Sequence, residues 1–508
     1  MANALRHVGR YQLQPTKWCQ VQRCEKLQNY STSSVEEPAK VGKQPMMPPC
    51  DFNPTPFQGM PFETAKKVRQ GQMFPGYAFS YYQDPLYLNQ GHMQWLFDHT
   101  GRRYLDMYAG VMITSVGHCN PKINQVLHDQ SELVWSTSNV YMHPRIHELA
   151  DKLTSKLPSH LNKVIFTNSG SEANDLALHL MRLRTRNFDI ISMSNAYHGL
   201  TTSLMGITAL TPCNFQTPRG FGITNSMCPD VYTGTWGGKH CRDSPVQANR
   251  TCNCEVGSCQ AKDNYISQFA DVMKYSMPQK IAGFFSESIQ GAGGTRQYPK
   301  GFLKEAFEIV RSKGGLCLAD EVQTGLGRLG SHFWGFEHHD VMPDIVTIAK
   351  GIANGFPLAA VVTTEDVFNS LSDAIYFNTF GGSALGCSIG SAVLDYIEDN
   401  NTQLNSHTVG TYLLEQLSRL RDEFEIVGDV RGKGLMIGVE LVENKETRQP
   451  LALEKTAAIF ETIKDLGVLI GLKGTALNVF DIKPPMIITK EDADFTVDVI
   501  REAILRNQ

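Results

Sequence analysis

Short apolar runs, each bounded by polar residues or glycine, recur along the central part of the chain. They are rich in β-branched and aromatic residues, which is typical of buried strands. Between several of them the apolar positions follow the period of a helix, as in residues 302–313. Strands in alternation with helices predict an α/β fold with a mainly parallel central sheet. The runs are residues 163–167, 189–193, 281–286, 315–319 and 345–349.

The pattern changes towards both ends of the chain. Residues 435–441 predict a strand and residues 453–466 a helix, so a smaller α+β domain is expected after the central sheet. Five prolines between residues 45 and 56 indicate an extended linker. We predict four segments: residues 1–40, a leader; 41–110, the linker and the N-terminal part of the small domain; 111–385, the large domain; 386–508, the C-terminal small domain.

Charge and composition narrow the choice of partners. The chain has 508 residues, and its 47 Lys and Arg nearly balance 51 Asp and Glu. Without a basic stripe there is no support for a nucleic-acid partner, and no apolar run reaches the roughly 18 residues of a membrane span. Small molecules are therefore the expected partners. The 12 cysteines are scattered, which favours reduced thiols over a disulfide scaffold.

The first residues resemble a targeting segment. Arg6, Arg10, Lys17 and Arg23 occur before the first acidic residue, Glu25, and a hydroxyl-rich stretch follows. This composition is typical of a mitochondrial transit peptide, so we expect a protein of the mitochondrial matrix. A disordered tail without an address is the alternative.

Ligands of α/β folds bind beyond the carboxyl ends of the strands, so the residues after each strand matter most. The first run is followed by Asn168-Ser169-Gly170-Ser171 and a helical pattern. Free N–H groups, hydroxyls and a helix dipole make such a turn an anion site. An ordinary Ser N-cap explains the same residues when they are taken alone.

The next strands end in carboxylates, an amide and an amine. Glu287 follows one run, Asp320 and Gln323 another, and Lys350 a third. Each alone is more often a cap, a surface ion pair or a solvated amine. Together they describe a site for a phosphorylated cofactor that needs an anion site, a buried carboxylate and an amine nucleophile. Pyridoxal 5′-phosphate (PLP) has these needs.

Two stretches resemble nucleotide-binding motifs but lack features that those motifs require. Residues 325–330 match GxGxxG, but five residues separate them from the strand and no amphipathic helix follows. Residues 428–434 are one residue short of a P-loop and lack its Ser or Thr. A nicotinamide dehydrogenase therefore has little support, and there is no HExxH or GxSxG motif.

The chain resembles the class III PLP-dependent aminotransferases over about residues 75–505. The resemblance implies the PLP-dependent transferase fold of type I, transamination, and PLP as cofactor. It depends on motifs in the family's order: NSGSEAN at 168–174, YHG at 197–199, ESIQG at 287–291, DEVQTG at 320–325, KG at 350–351, TFGG at 379–382 and VRGKG at 430–434.

The resemblance also implies roles for individual residues. Lys350 would form the Schiff base with PLP and then carry the proton at the substrate Cα, while Asp320 would keep the pyridine nitrogen protonated. Thr379 would reach the phosphate held by a neighbouring subunit, which implies a homodimer or homotetramer. The other cofactor contacts implied are Ser169, Gly170 and Ser171 at the phosphate, Tyr197 stacked on the ring with His198 beside it, Gln323 at the phenolic oxygen and Glu287 in support.

Arg431 resembles the family arginine that grips the substrate α-carboxylate. Ala292 stands where some relatives carry a Glu that masks this arginine, and Ser288 replaces the usual Pro. Without that Glu, α-amino and α-keto acids become the natural substrates, and we expect transfer from L-alanine to glyoxylate. The alternatives are β-alanine or (R)-3-aminoisobutyrate with pyruvate, and a catalytically silent scaffold.

We interpret the segment 211–262 as a long insertion. It contains five cysteines: Cys228, Cys241, Cys252, Cys254 and Cys259. Their spacing fits no standard paired CxxC site, so a surface loop with thiols and no metal is expected.

Overall fold

The computed structural model describes residues 45–73, 82–238, 241–247, 254–255 and 258–508. The predicted leader, residues 1–40, lies outside these residues. The chain divides into two compact units, and the described residues of the first are 60–73 and 82–85. In this unit helix α1 (Phe62–Gln72) begins after Pro61, with Glu63 in its first turn and Arg69 in its last, as the helix dipole favours.

The second unit comprises residues 42–59 and 86–508. Its strands are β1 (Leu88–His92), β2 (Trp95–Asp98), β3 (Arg103–Asp106), β4 (Lys163–Thr167), β5 (Ile190–Met193), β6 (Ile223–Ser226), β7 (Gly283–Glu287), β8 (Leu316–Asp320), β9 (Ile345–Ile348), β10 (Ala359–Thr363), β11 (Val427–Lys433), β12 (Met436–Leu441), β13 (Val468–Leu469), β14 (Gly471–Lys473) and β15 (Val479–Ile482).

The longer helices of this unit alternate with the strands. They are α2 (Pro121–Ser131), α3 (Pro144–Thr154), α4 (Gly170–Thr185), α5 (Gln260–Tyr275), α6 (Phe302–Ser312), α7 (Ala384–Asp399), α8 (Thr402–Glu423), α9 (Leu453–Asp465) and α10 (Lys490–Arg506).

Seven strands form the central sheet, in the order β4-β10-β9-β8-β7-β5-β6. Strand β10 runs antiparallel to both of its neighbours, and the remaining pairs are parallel. The prediction of a mainly parallel sheet is confirmed. Strands β4, β5, β7, β8 and β9 therefore point their carboxyl ends to the same edge, which is where the predicted residues that end or follow these strands meet.

Helices cover both faces of this sheet. Phe285 of β7 packs in a cluster with Ala177 and Leu180 of α4. Its neighbour Phe284 contacts Phe269 of α5 and Phe307 of α6, with ring centroids 5.5 and 6.1 Å apart. Successive side chains of a strand point to opposite faces, so the continuous apolar runs of the sequence reflect burial on both sides.

Two four-stranded sheets complete the unit. The first has the order β1-β2-β3-β13, and the second, β11-β12-β15-β14, is antiparallel throughout. The predicted strand at 435–441 and helix at 453–466 correspond to β12 and α9. The domain boundaries stay a prediction. Within the described ranges, no helix is long and apolar enough to cross a bilayer.

The segment 211–262 differs from its prediction as a surface loop. It contains strand β6, which pairs in parallel with β5 at the edge of the central sheet, and Val231 lies in a buried cluster. The Cys259 thiol accepts a hydrogen bond from Lys262 N and so caps α5. The described part of the chain holds no group of three or more His, Cys, Asp or Glu arranged to bind a metal.

Candidate active site

A cavity of about 310 Å³ lies at the carboxyl edge of the central sheet, and five strands or their following loops contribute to its wall. We call it the strand-end cavity. Predicted residues that the structure brings together there are Ser169, Gly170, Ser171, Tyr197, His198, Glu287, Asp320, Gln323 and Lys350.

Asp320 is a buried carboxylate held by several donors. Its Oδ2 lies 2.8 Å from His198 Nδ1 and accepts from Asn174 Nδ2 at 2.8 Å. The backbone N–H of Val322 donates to Oδ1 at 3.1 Å. Asn174 is itself oriented by Thr347, whose hydroxyl donates to its Oδ1 at 2.8 Å. These bonds hold the carboxylate in one orientation at the cavity wall.

Lys350 follows strand β9 in a strained conformation. Its φ of 51° places the residue in the left-handed region, which costs energy for a residue with a Cβ. Burial lowers the pKa of the amine to about 8, and the nearby Lys483 adds to this effect although Asp320 opposes it. An amine with this pKa is partly neutral near physiological pH and can act as a nucleophile or a base.

Helix α4 starts at the wall of the cavity. The Ser169 hydroxyl accepts from Glu172 N at 3.2 Å, so this side chain is the helix N-cap. The N-cap was the alternative explanation of these residues in the sequence analysis. Gly170 and Ser171 form the first turn and line the cavity. Gly199 faces them with φ of 120°, and a Cβ there would approach Ser171 Oγ to 2.6 Å. The glycine keeps the space beside the helix N-terminus open.

Glu287 is the last residue of strand β7, and its carboxylate contacts two loops, one with Tyr197 and one with Gly291. Its carboxylate accepts from Tyr197 N at 3.1 Å and from Gly291 N at 2.8 Å. Burial raises the pKa of Glu287, and burial likewise raises the pKa of the Tyr197 phenol. Gln323 is held by the Lys483 ammonium, which donates to its Oε1 at 3.4 Å. Glu287 therefore positions the loop that carries Tyr197.

Arg431 does not line the strand-end cavity. The residue is 1% exposed, and its Nη1 donates to Glu440 at 2.5 Å and to Asp429 at 3.1 Å. Nη2 donates to the carbonyl of Gly294 at 2.6 Å. The expectation that Ala292 leaves this arginine unmasked is wrong, because Glu440 on the neighbouring strand pairs with it.

The loop from Gly291 to Thr295 connects Arg431 to the cavity wall. Its first residue donates to Glu287, which lines the cavity, and Gly294 accepts from Arg431. Thr379 also lies away from the cavity wall, in an exposed stretch between Ile375 and Phe380.

Sequence reasoning assigned no role to two residues near the site. Asn174 belongs to the motif at 168–174, and its position at i+4 from Gly170 on one helix face is the signal that could have identified it. Lys483 lies in the C-terminal region, pairs with Asp481 at 2.7 Å and reaches the carbonyl of Gly291. No local pattern marks Lys483, because tertiary packing alone brings it to the site.

The residues present fit PLP. The His198 Nε2 atom is buried, and no partner for it occurs in the part of the chain that the structure describes. Asp320, Lys350 and the open turn of α4 supply a buried carboxylate, an amine of lowered pKa and an anion site within one cavity. These are the groups that the ring nitrogen, the aldehyde and the phosphate of PLP require.

Comparisons with known proteins show the family of the chain. The family model "Aminotransferase class-III" matches residues 78–504. Human mitochondrial alanine–glyoxylate aminotransferase 2 is 52% identical over 465 residues, which cover 91% of this chain and 90% of that protein. A phospholyase from Arthrobacter, solved with phosphoethanolamine, is 30% identical with a TM-score of 0.78 and covers 86% of this chain and 99% of its own.

A PLP-bound amine transaminase from an uncultivated Pseudomonas species is 27% identical, with a TM-score of 0.75, and the match covers 86% of this chain and 97% of that one. The fold and the site thus define a fold type I, PLP-dependent enzyme. The chain belongs to the class III aminotransferases. It is an aminotransferase that uses PLP and acts on amino and keto acids, and it is similar over most of its length to alanine–glyoxylate aminotransferase 2.

Proposed function

We propose that the protein transfers the amino group of L-alanine to glyoxylate in the mitochondrial matrix, giving pyruvate and glycine. The observation that carries the proposal is the single cavity that contains Asp320, Lys350 and the N-terminus of α4. The substrate pair is supported by the similarity to the human enzyme of that name. The location is supported by the composition of the first 40 residues and by the same relative's description as mitochondrial.

The proposed roles follow from the contacts of each side chain. PLP, when bound, supplies an electron sink for the pair left at the substrate Cα. Lys350 would hold the cofactor at its aldehyde, and its amine, once the substrate amine has displaced it, would take and return the Cα proton. Asp320 would hold a proton at the ring nitrogen, and its contacts with His198 and Asn174 fix the orientation of its carboxylate. Gly170 and Ser171 bind the phosphate, and Ser169 holds their turn.

Arg431 is proposed to bind the substrate α-carboxylate. Its Nη2 now donates to Gly294 in the loop that adjoins the cavity. A substrate carboxylate would take the place of that carbonyl, while Nη1 stays with Glu440. Arg431→Lys is then expected to raise KM for L-alanine with a smaller effect on kcat, since a lysine ammonium lacks the planar fork that lets one nitrogen pair with Glu440 while another reaches the substrate carboxylate.

A homodimer is proposed from the exposed apolar residues near Thr379. Ile375 is 95% exposed and Phe380 66%, and a second exposed group includes Trp135 and Met142. The two groups belong to one region, since Leu385 N donates to the carbonyl of Trp135. Apolar surface of this extent is favourably covered by a second copy, which would bring Thr379 to the partner's phosphate site.

The visible absorption spectrum of the purified protein tests the reaction. A band of lysine-bound PLP should bleach on addition of L-alanine and return with glyoxylate, and Lys350→Ala should lack this response. A response to β-alanine but not to L-alanine would replace the substrate proposal by the ω-amino acid alternative. Absence of any PLP band after reconstitution would contradict the proposal and favour the silent scaffold.

A further inference from the structure

A second cavity of about 310 Å³ lies outside the strand-end cavity and shares no lining residue with it. It adjoins the site along the chain: Ser288 and Ile289 follow Glu287, and Lys433 ends the strand that carries Arg431. Apolar side chains of Ile289 and Leu329 form part of its wall. Its charged and titratable lining residues are Asp243, Tyr298, Lys300, Lys304, Lys433, His338, His339 and Asp340.

Cations exceed anions around this second cavity. Lys433 forms an ion pair with Asp243. Lys300 and Lys304 are exposed at its margin, and among the residues with a described position no carboxylate lies within ion-pair distance of either. Burial lowers the pKa of both His338 and His339, so the positive charge at neutral pH comes from the lysines.

The start of helix α6 borders the same space through Gly301 and Lys304. Gly301 is its N-cap, has a φ of 84° and offers no side chain to cap the first N–H groups. Lys304 lies in the first turn. Glu305, the acidic residue of that turn, is engaged by Lys262 at 2.5 Å. The positive end of this helix dipole therefore faces the cavity without a capping carboxylate.

His338 provides an independent sign of a ligand. Its side chain is 4% exposed. Nδ1 lies 3.1 Å from His332 Nδ1 and 3.4 Å from Ser331 Oγ, whereas Nε2 is buried and has no hydrogen-bond partner within the described ranges. A buried polar atom left without a partner is costly, and a ligand atom in the cavity would supply the missing bond.

We propose that the second cavity binds a small organic carboxylate. The carboxylate accepts hydrogen bonds from Lys300, Lys304 and His338 Nε2, and the positive end of the α6 dipole adds to the attraction. The short aliphatic part of the ligand lies against Ile289 and Leu329. This binding does not depend on PLP or on the proposed transamination, so the two proposals can fail separately.

Calorimetric titration of malonate into the holoenzyme tests the site. Malonate should bind, and its neutral analogue malonamide should not. The double variant Lys300→Ala, Lys304→Ala should bind malonate at least about tenfold more weakly, since two charged contacts are lost. Lys280→Ala is the matched control, because Lys280 is an exposed lysine outside the cavity, and its affinity should equal that of the original protein.

His338→Leu separates binding from folding. The variant should weaken malonate binding while its thermal unfolding midpoint stays equal or rises, because leucine removes an unpaired buried polar atom. Undiminished binding by the double lysine variant would overturn the proposal, as would equal binding of malonamide. Loss of malonate binding in Arg431→Ala, with the lysine variant unaffected, would place the ligand at the substrate site and would also overturn it.

Discussion

Lys350 combines backbone strain with a buried cation. The left-handed backbone and the lowered pKa both cost stability in the protein without cofactor. Such costs are typical of functional positions, where a neutral amine must be available close to neutral pH. Asp320 differs from Lys350 in having several polar partners: Asn174 and Val322 donate to its carboxylate, and His198 Nδ1 lies 2.8 Å from it.

Lys350→Met is expected to stabilise the cofactor-free protein at pH 7. The folded-state pKa of about 8 lies below the unfolded value of 10.5, so the unfolded state binds more protons between these values and stability rises with pH across them. Removing the amine should raise the free energy of unfolding by about 3 kcal/mol at pH 7. Urea denaturation at pH 7 and pH 10.5 measures this, and an equal gain at both pH values would contradict the argument.

Asp320→Asn is expected to reduce kcat far more than cofactor affinity. The amide has nearly the same size and can still accept from Val322 N, but it cannot hold a proton on the ring nitrogen by charge. Loss of a positioned proton-holding group typically lowers rates by about 10²–10⁴. Steady-state kinetics with PLP in excess test this, with PLP retention measured in parallel. A variant with unchanged kcat would remove Asp320 from the proposed role.

At the scale of elements, a buried ion network joins the segment 211–262 to strands β11 and β12. Asp429 of β11 accepts from Arg242 at 2.9 and 2.6 Å and from Arg431 at 3.1 Å. Glu440 of β12 pairs with Arg431. Arg242 is 2% exposed, so this segment contributes an interior cation to the sheet beneath Arg431.

Asp429→Asn should destabilise the protein by about 3–5 kcal/mol, because it leaves the buried Arg242 and Arg431 short of a counter-charge. Glu423→Gln is the control. It removes the exposed pair with Arg501, in which the N–O distance is also short, at 2.5 Å. That change should cost less than about 1 kcal/mol, since solvent screens an exposed pair. Chemical denaturation of both variants compares them, and equal losses would show that burial is not the cause.

At the scale of the whole molecule, the proposed dimer predicts that each site uses residues of two subunits. Thr379→Ala and Lys350→Ala should each be nearly inactive alone. When the two are unfolded, mixed and refolded together, the mixed dimer rebuilds one site with both residues intact. Activity should then recover to about one quarter of the original, as random pairing of a C2 dimer requires. No recovery, with mixed dimers detected by mass spectrometry, would place Thr379 in its own subunit's site or outside it.

Much of the central sheet could be predicted from the sequence because its strands are buried on both faces. The run 163–167 coincides with β4, and the runs before Glu287, Asp320 and Lys350 fall within one or two residues of β7, β8 and β9. Continuous apolar runs next to helical patterns are a local signal. The positions of the strands, and the polar residues at their carboxyl ends, can therefore be predicted from short stretches of sequence.

The sequence by itself determined the class of enzyme, since ordered motifs placed Asp320, Gln323 and Lys350 after consecutive strands. Only the tertiary structure decided how Arg431 and segment 211–262 are used. Glu440 of β12 pairs with Arg431 of the neighbouring strand β11. Strand β6 pairs with β5 at the edge of the central sheet, although its segment shows no clear strand pattern in the sequence. Ion pairing and edge-strand pairing depend on which surfaces meet after folding, and residues distant in sequence carry no local sign of that contact.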